Sequence, residues 1–377
     1  MKFFKSLIGY LKLKKQKNID IVIYSESKAY YTNFKTIIDE LIINKVKILY
    51  VTSSYDDKIF QLKSDYLTPI YIENTILLIL FFNYLKAKIL LTTMPDIDTF
   101  YLKRSIHVKK MMYVHHSLAS MNMIYLPKAF ESYDSIFCVG PYHINEVREL
   151  EKEYGTKLKD VIKAGYPALD DFMNRYNDYI KDNTIKNENI VITIAPSWQQ
   201  DNILDMCIDD LLNNLLNNNN FRIVLRPHPM TLKYEKYKLE KILKNYNKFP
   251  NFSLDINPGN FYSYLETDVM ITDWSFTVYK FVFTTFKPVI FINTPIKVRN
   301  KNYKSYKNVP VDIKWRSVIG MELSIDDIHS IADSILKVYN DTSRKDVIKQ
   351  YRDKNIYNIG SSGKVCAEYI IKTLHNL

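Results

Sequence analysis

Glycine is scarce, with only 8 residues in a chain of 377. Phosphate loops assembled from closely spaced glycines are therefore not expected. Cysteine is scarcer still. Cys138, Cys207 and Cys366 lie far apart with no CxxC pair. That pattern excludes a disulfide framework and a cysteine zinc site, and it fits a reducing compartment. Long apolar runs are absent too. The longest, Ile76 to Phe82, is bounded by Glu73-Asn74 and Asn83, so it reads as a core helix rather than a membrane span. No acidic residue precedes Asp20, and no solenoid-length repeat is visible.

What is present is globular composition, 47% hydrophobic and 25% charged, in a chain too long for one ordinary core. Two domains are expected. The net charge of +11 favours an anionic partner: membrane lipid, nucleotide, phosphate polymer or nucleic acid. Residues 1–17 place Phe3, Phe4, Leu7, Ile8 and Leu11 on one helical face, surrounded by six lysines. There is no longer apolar centre or small-residue cleavage site of a secretory signal. An interfacial helix on an anionic membrane fits, and the alternative is a surface helix capping the first domain.

From residue 18 short apolar runs alternate with amphipathic stretches. Ile19–Tyr24, Val46–Val51, Ile89–Thr93, Met111–His115 and Ile136–Val139 read as strands; Asn33–Ile43 and Lys128–Tyr133 are amphipathic stretches separating them. The polar segment Asp182–Asn189 marks a boundary, giving a first domain over 18–182 and a second over 183–360. The second repeats the alternation at Ile190–Ala195, Ile223–Leu225, Val269–Thr272 and Val289–Ile292. The biased Leu211–Asn220 reads as a helix end entering a loop, and 361–377 as a final amphipathic helix. This alternation predicts parallel sheets covered by helices on both faces.

Ligands in such sheets sit beyond the carboxyl ends of strands, so polar residues there are the candidates. Phe221–Pro229 is an apolar strand running into Arg226-Pro227-His228-Pro229. Arg offers a fork for phosphate oxygens and His a hydrogen bond or a proton near neutrality. The bland reading is a polar strand end. Tyr113–Ser117 carries His115 and His116, one of which should face the ligand as a general base while the other turns away. Adjacent histidines do not form a chelating pair, so no metal is expected. Ser197, after a strand, would cap the next helix and help bind an anion. In Val269–Thr277 a strand runs into Asp273, Ser275 and Thr277 ahead of an apolar helix, which suits phosphate, or a helix cap without ligand. Residues 297–316 hold seven Lys/Arg against Asp312, with interleaved aromatics. The stretch suits a polyanionic acceptor, lipid headgroups or single-stranded nucleic acid, unless it is simply a solvated loop. Gly360–Val365 is not a Walker motif, since residue 358 is Asn and Val365 stands where Ser or Thr is needed.

Taken in order, five of these pieces resemble the CDP-glycerol glycerophosphotransferase family, the teichoic-acid and capsule polyol-phosphate transferases. They are His116, Gly165-Tyr166-Pro167-Ala168-Leu169-Asp170, Ala195-Pro196-Ser197-Trp198, Arg226-Pro227-His228-Pro229 and Thr272-Asp273-Trp274-Ser275. The chain departs from the family pattern at Ser117, Gln199 and Phe276, lacks a basic residue near Ala168, and diverges after Asn293. The resemblance implies a GT-B architecture, two Rossmann-like domains with parallel sheets facing across a cleft, the nucleotide on the second. It implies transfer of glycerol phosphate or another polyol phosphate from a CDP-polyol (CDP-glycerol or CDP-ribitol) to a hydroxyl of a lipid-linked or polysaccharide acceptor, with release of CMP. On this reading His116 takes the acceptor proton. Arg226 and His228 hold the diphosphate, while Ser275, Thr277 and Ser197 help cradle it. Asp273 binds polyol hydroxyls. No cofactor, metal or nucleic acid is expected, and the enzyme would sit on the inner face of the cell membrane. The rivals are a GT-B glycosyltransferase or epimerase using a UDP-sugar, and a non-enzymatic membrane- or polyanion-binding protein.

Overall fold

A computed structural model describes residues 2–16, 19–182, 189–257 and 262–377. Lys17 and Asn18, and most of the expected boundary segment at 183–188, lie outside the described residues. The chain forms two compact units. One comprises Met1–Asp171, Arg299–Asn308 and Asn355–Leu377; the other Phe172–Val298 and Val309–Lys354.

The first unit holds a seven-stranded, all-parallel sheet of order β3-β2-β1-β4-β5-β6-β7. Its strands are β1 (Ile21–Ser25), β2 (Ile48–Thr52), β3 (Leu67–Tyr71), β4 (Ala87–Thr92), β5 (Val108–Val114), β6 (Ser135–Cys138) and β7 (Asp160–Lys163). Alternate residues of β1 enter separate cores: Ile21 and Ile23 pack with Ile48 and Tyr50, whereas Val22 and Tyr24 pack with Leu49 and Val51. Both faces are covered, which is why the central strands are nearly continuous apolar runs. The second unit repeats the plan with β8 (Ile190–Ala195), β9 (Phe221–Leu225), β10 (Phe252–Leu254), β11 (Val269–Thr272), β12 (Val289–Ile292) and β13 (Met321–Leu323). These form a parallel sheet of order β10-β9-β8-β11-β12-β13.

Every expected central strand is present. The four strands that the apolar runs did not reveal, β3, β7, β10 and β13, are the four sheet edges. An edge strand is only partly covered, and β7 has no buried residue, so it leaves no apolar run to read. Lys128–Tyr133 forms turns rather than a helix.

The domain limits also differ from those expected. The final helix, Ser362–His375, packs on α2 (Tyr31–Ile43, after α1, Lys2–Lys15) and so belongs to the first unit. Gly363 makes that crossing possible, since a Cβ there would lie 2.5 Å from the Thr36 Cβ. The helix Pro167–Asp182 is divided. Its later part goes with the second unit, where Tyr179 packs edge-on against Tyr262. The Gly360–Gly363 turn is closed by the chain's own carboxylate. Asp170 accepts hydrogen bonds from the amides of Gly360 (2.8 Å), Ser362 (2.7 Å) and Gly363 (3.4 Å) and from the Ser362 hydroxyl (3.1 Å). An anion position is thus filled internally, by a residue distant in sequence.

α1 docks through its small residues. Ser6 accepts from the Glu73 and Asn74 amides, and Gly9 abuts the Tyr71 carbonyl so closely that a Cβ would lie 2.0 Å from its oxygen. The apolar face is the outward one, with Phe3, Phe4, Ile8 and Leu11 half or more exposed. α3 (Thr75–Tyr84), expected as a core helix, buries Leu77, Phe81 and Phe82 but exposes Ile76 and Tyr84. No described helix is long and apolar enough to cross a membrane. The three cysteines are buried and unpaired.

Asp170→Ala leaves several buried amides without an acceptor, so it is expected to lower the first unit's stability by about 2–4 kcal/mol, read as a reduced denaturant midpoint.

Candidate active site

A parallel sheet covered on both faces has room for solvated polar groups only at its ends, and in both units the candidate residues gather beyond the carboxyl ends of the strands. In the first unit β5 delivers His115 and His116 with opposite fates. His115 is buried and stacked on His143, with ring centroids 3.8 Å apart. Burial holds both imidazoles neutral, His143 down at about 3. Asn33 of α2 donates to the His115 carbonyl at 2.9 Å and fixes the strand end.

His116 stays partly open. Its Nδ1 lies 3.1 Å from the Thr93 carbonyl oxygen, which can only accept, so Nδ1 carries the hydrogen. Nε2 is then the basic nitrogen, and it receives the Tyr125 hydroxyl at 3.3 Å. Tyr113 completes the ring of contacts, 3.3 Å from Nδ1 and donating to Tyr125. Tyr30 packs edge-on against the imidazole. Glu26, just past β1, sits on the same ledge, and burial pushes its carboxyl up to about 7.

In the second unit three loops leave β8, β9 and β11. His228 caps the helix Pro229–Tyr234, its Nδ1 accepting the Met230 amide hydrogen at 3.1 Å. The hydrogen of the neutral ring is therefore on Nε2, the opposite tautomer to His116. Burial, and then the charge of Lys297, lower His228 to about 4. Trp198 lies nearly parallel to its ring. Lys297 is half-buried over the Phe276 ring, forms no ion pair with a described residue, and is held below its usual range by burial. Ser275 precedes Phe276 in the chain, and the helix Thr277–Thr285 begins with no side-chain cap. Neutral N–H, ammonium, hydroxyl and helix-end amides together suit an anion such as phosphate.

Several expected roles change. Asp273 is not open to a polyol. It is buried, and its carboxylate accepts from the amides of Ser197 (2.7 Å), Trp274 (2.7 Å) and Ile203 (3.1 Å). Ser197 caps no helix; Asn202 caps Ile203–Met206 instead, and the Ser197 hydroxyl is buried without a partner. Arg226 is buried in contact with Asp255, Ser263 and the Tyr264 ring, so its fork is engaged within the unit. Thr277 stands at the helix start without capping it. The basic run 297–316 is not one patch. Residues 299–308 belong to the first unit, and Arg316 is buried against Trp274 and Phe291, donating to the Asp273 carbonyl at 2.6 Å. Lys297, Glu26, Asn33 and His143 were not singled out by sequence. Lys297 was one of seven basic residues in its run, and only packing separates it from the rest. Among the described residues no cluster of His, Cys, Asp or Glu could hold a metal ion.

Two Rossmann-like parallel-sheet units, each with a polar ledge at its strand ends, define a protein of the GT-B class. The profile of the CDP-glycerol:poly(glycerophosphate) glycerophosphotransferase family matches residues 8–314. The chain belongs to that family and is an enzyme of the glycerophosphotransferase type. No curated protein matches it significantly. Among solved structures it is similar to the wall teichoic acid polymerase TagF, with 14% identity, a TM-score of 0.64, and coverage of 100% of this chain and 94% of that one. It is also similar to the UDP-GlcNAc 2-epimerase of Neisseria meningitidis (12% identity, TM-score 0.59, 94% and 100% coverage). A Rickettsia africae glycosyltransferase matches at 10% identity and TM-score 0.57, with 96% and 100% coverage.

The His228 tautomer has a measurable signature. Nitrogen-15 spectra should show it neutral with hydrogen on Nε2 throughout pH 6–8. Unfolded, it would ionise near pH 6.5; folded, it stays neutral to about 4. The unfolded chain binds more protons in that window, so stability falls as pH drops from 6.5 towards 4. His228→Gln should shrink the acid-side fall in Tm.

Proposed function

We propose that this chain transfers glycerol phosphate, or another polyol phosphate, from a CDP-polyol to a hydroxyl of a lipid-linked or polysaccharide acceptor, releasing CMP, in the synthesis of a teichoic-acid-like or capsule polymer. The family description names CDP-glycerol as donor. The observation that carries the reading is the pair of histidines held in opposite tautomers: His116 offers a basic Nε2 and His228 an Nε2–H donor.

The acceptor hydroxyl displaces Tyr125 from His116 Nε2 and gives up its proton there. Its oxygen bonds to the polyol-bearing phosphorus while the bond from that phosphorus to the CMP oxygen breaks. The electron pair leaves with CMP. Negative charge grows on the leaving and equatorial oxygens, and on this reading the second unit's His228, Lys297, Ser275 and the amides ahead of Thr277–Thr285 are the groups that stabilise it. Trp198 and the tightly held Arg226 and Asp273 keep these loops in shape. The steps use protein groups alone, without a resident cofactor or metal. The similarity to a UDP-GlcNAc epimerase and to a glycosyltransferase favours a UDP-sugar as the second reading.

Nucleotide release should be measured on a lipid-linked acceptor: CMP from CDP-glycerol and CDP-ribitol, and UDP from UDP-sugars. Acceptor-dependent CMP release, reduced at least a hundredfold in His116→Ala and in His228→Ala with the fold retained, is expected. Turnover of UDP-sugars alone would replace the reading with the second one. Lys297→Ala is expected to raise the donor KM about tenfold, as loss of one charge-assisted phosphate contact does.

The outward apolar face of α1, flanked by Lys5, Lys12, Lys14 and Lys15, supports peripheral attachment to an anionic membrane. Phe4→Glu with Ile8→Glu should abolish co-sedimentation with phosphatidylglycerol vesicles and leave Tm unchanged, because neither side chain is packed inside.

A further inference from the structure

Glu26 is a recessed carboxyl that the fold leaves unanswered. Tyr24 of β1, Thr92 of β4 and Tyr113 of β5 stand in one row across the first sheet. Glu26 lies two residues beyond that row on its strand, and His116 three residues beyond it on another. Tyr30, which packs against His116 at 5.5 Å between centroids, feels the Glu26 charge, as do Tyr24, Tyr113, Tyr125 and Tyr133. The glutamate and the proposed base therefore share one tyrosine-lined recess. Lys28, the nearest cation in sequence, is paired with Asp56. Glu26 itself has neither a hydrogen bond nor an ion pair with any described residue. Recessed carboxyls in folded proteins are normally paired, and leaving one unpaired costs stability. A residue retained at such a cost on a ligand-bearing strand end is accounted for when the ligand supplies the partner.

We propose that Glu26 is an acceptor-binding residue, its carboxyl hydrogen-bonding hydroxyl groups of an uncharged sugar or polyol end of the acceptor beside His116. The chemistry selects this class. A carboxyl accepts from hydroxyls, and in its protonated form also donates to them. It repels phosphate oxygens, and among the described residues it has no ion pair to offset that. The acceptor end bound here is thus a neutral hydroxylated group rather than one carrying phosphate next to the reacting hydroxyl. The inference deepens the proposed transferase reading and rests on it for the meaning of "acceptor".

The test has three arms on the full chain. Saturation-transfer NMR with ribitol and methyl N-acetylglucosaminide should show binding to the wild type that weakens at least fivefold in Glu26→Ala. sn-Glycerol 3-phosphate should bind no better than these. Equal binding in both proteins, no neutral ligand bound, or preference for the phosphate overturns the proposal. In the CMP-release assay Glu26→Ala should raise the acceptor KM tenfold or more with the donor KM unchanged; a change in the donor KM alone overturns it. Glu26→Gln should raise Tm by about 2–4 °C at pH 8, since an unpaired charge is removed. A fall in Tm would assign Glu26 a structural role instead. If the wild type turns over no CDP-polyol, the transferase reading fails, while the binding and stability arms still decide Glu26.

Discussion

The second unit's ledge depends on one buried carboxylate. Asp273 gathers amides from the loops after β8 and β11 and from the start of the helix Ile203–Met206. A carboxylate removed from water must be met by donors, and backbone N–H groups pointing inward supply them at fixed distances. The loop carrying Trp198 is therefore anchored to the loop carrying Ser275. Arg316 then closes the back of the arrangement, stacked on Trp274 and bonded to the Asp273 carbonyl. Removing the carboxylate would free three amides and the geometry of two loops together.

With that frame rigid, small differences in environment divide the work among like residues. Four buried or half-buried imidazoles have three uses. His115 and His143 stack in the core, His116 presents a lone pair, and His228 presents a hydrogen. None needs to be charged, because a backbone carbonyl or amide sets each exposed tautomer. The same logic separates the acids. Asp170 and Asp273 are satisfied by amides and hold turns together, whereas Glu26 is left without a partner. Satisfied carboxylates stabilise; an unsatisfied one costs stability and remains available to a ligand.

The outer surface shows a related division. α1 turns Ser6, Gly9 and Leu13 inward and Phe3, Phe4, Ile8 and Leu11 outward. Close backbone approach at Gly9 docks the helix together with the burial of Leu13 and the packing of Leu7 and Tyr10. The half-open α3 beside it exposes apolar side chains as well.

The amino-acid sequence by itself determined the class of fold and the places where chemistry gathers. Central strands buried on both faces must be apolar runs, and the first polar residues after them must be at the strand ends, so the pair His115 and His116, with His228, Asp273 and Ser275, was legible as strand-end candidates from pattern, and the resemblance singled out His116 of the pair. Their ordered spacing also carried the family. The sheet edges were not legible, because a half-covered strand such as Asp160–Lys163 needs no apolar run. Nor was the return of the last helix to the first unit, which depends on a glycine meeting Thr36 across a crossing. Above all, tertiary structure alone decided which polar residues are available. Arg226 and Asp273 look like ligand-binding residues in one dimension and are engaged in three, by Asp255 and Ser263 and by amides about 70 residues away. Lys297 and Glu26 look ordinary and are left unpaired. Availability is a matter of which partners the folded chain brings within hydrogen-bonding distance, and that is settled by contacts remote in sequence.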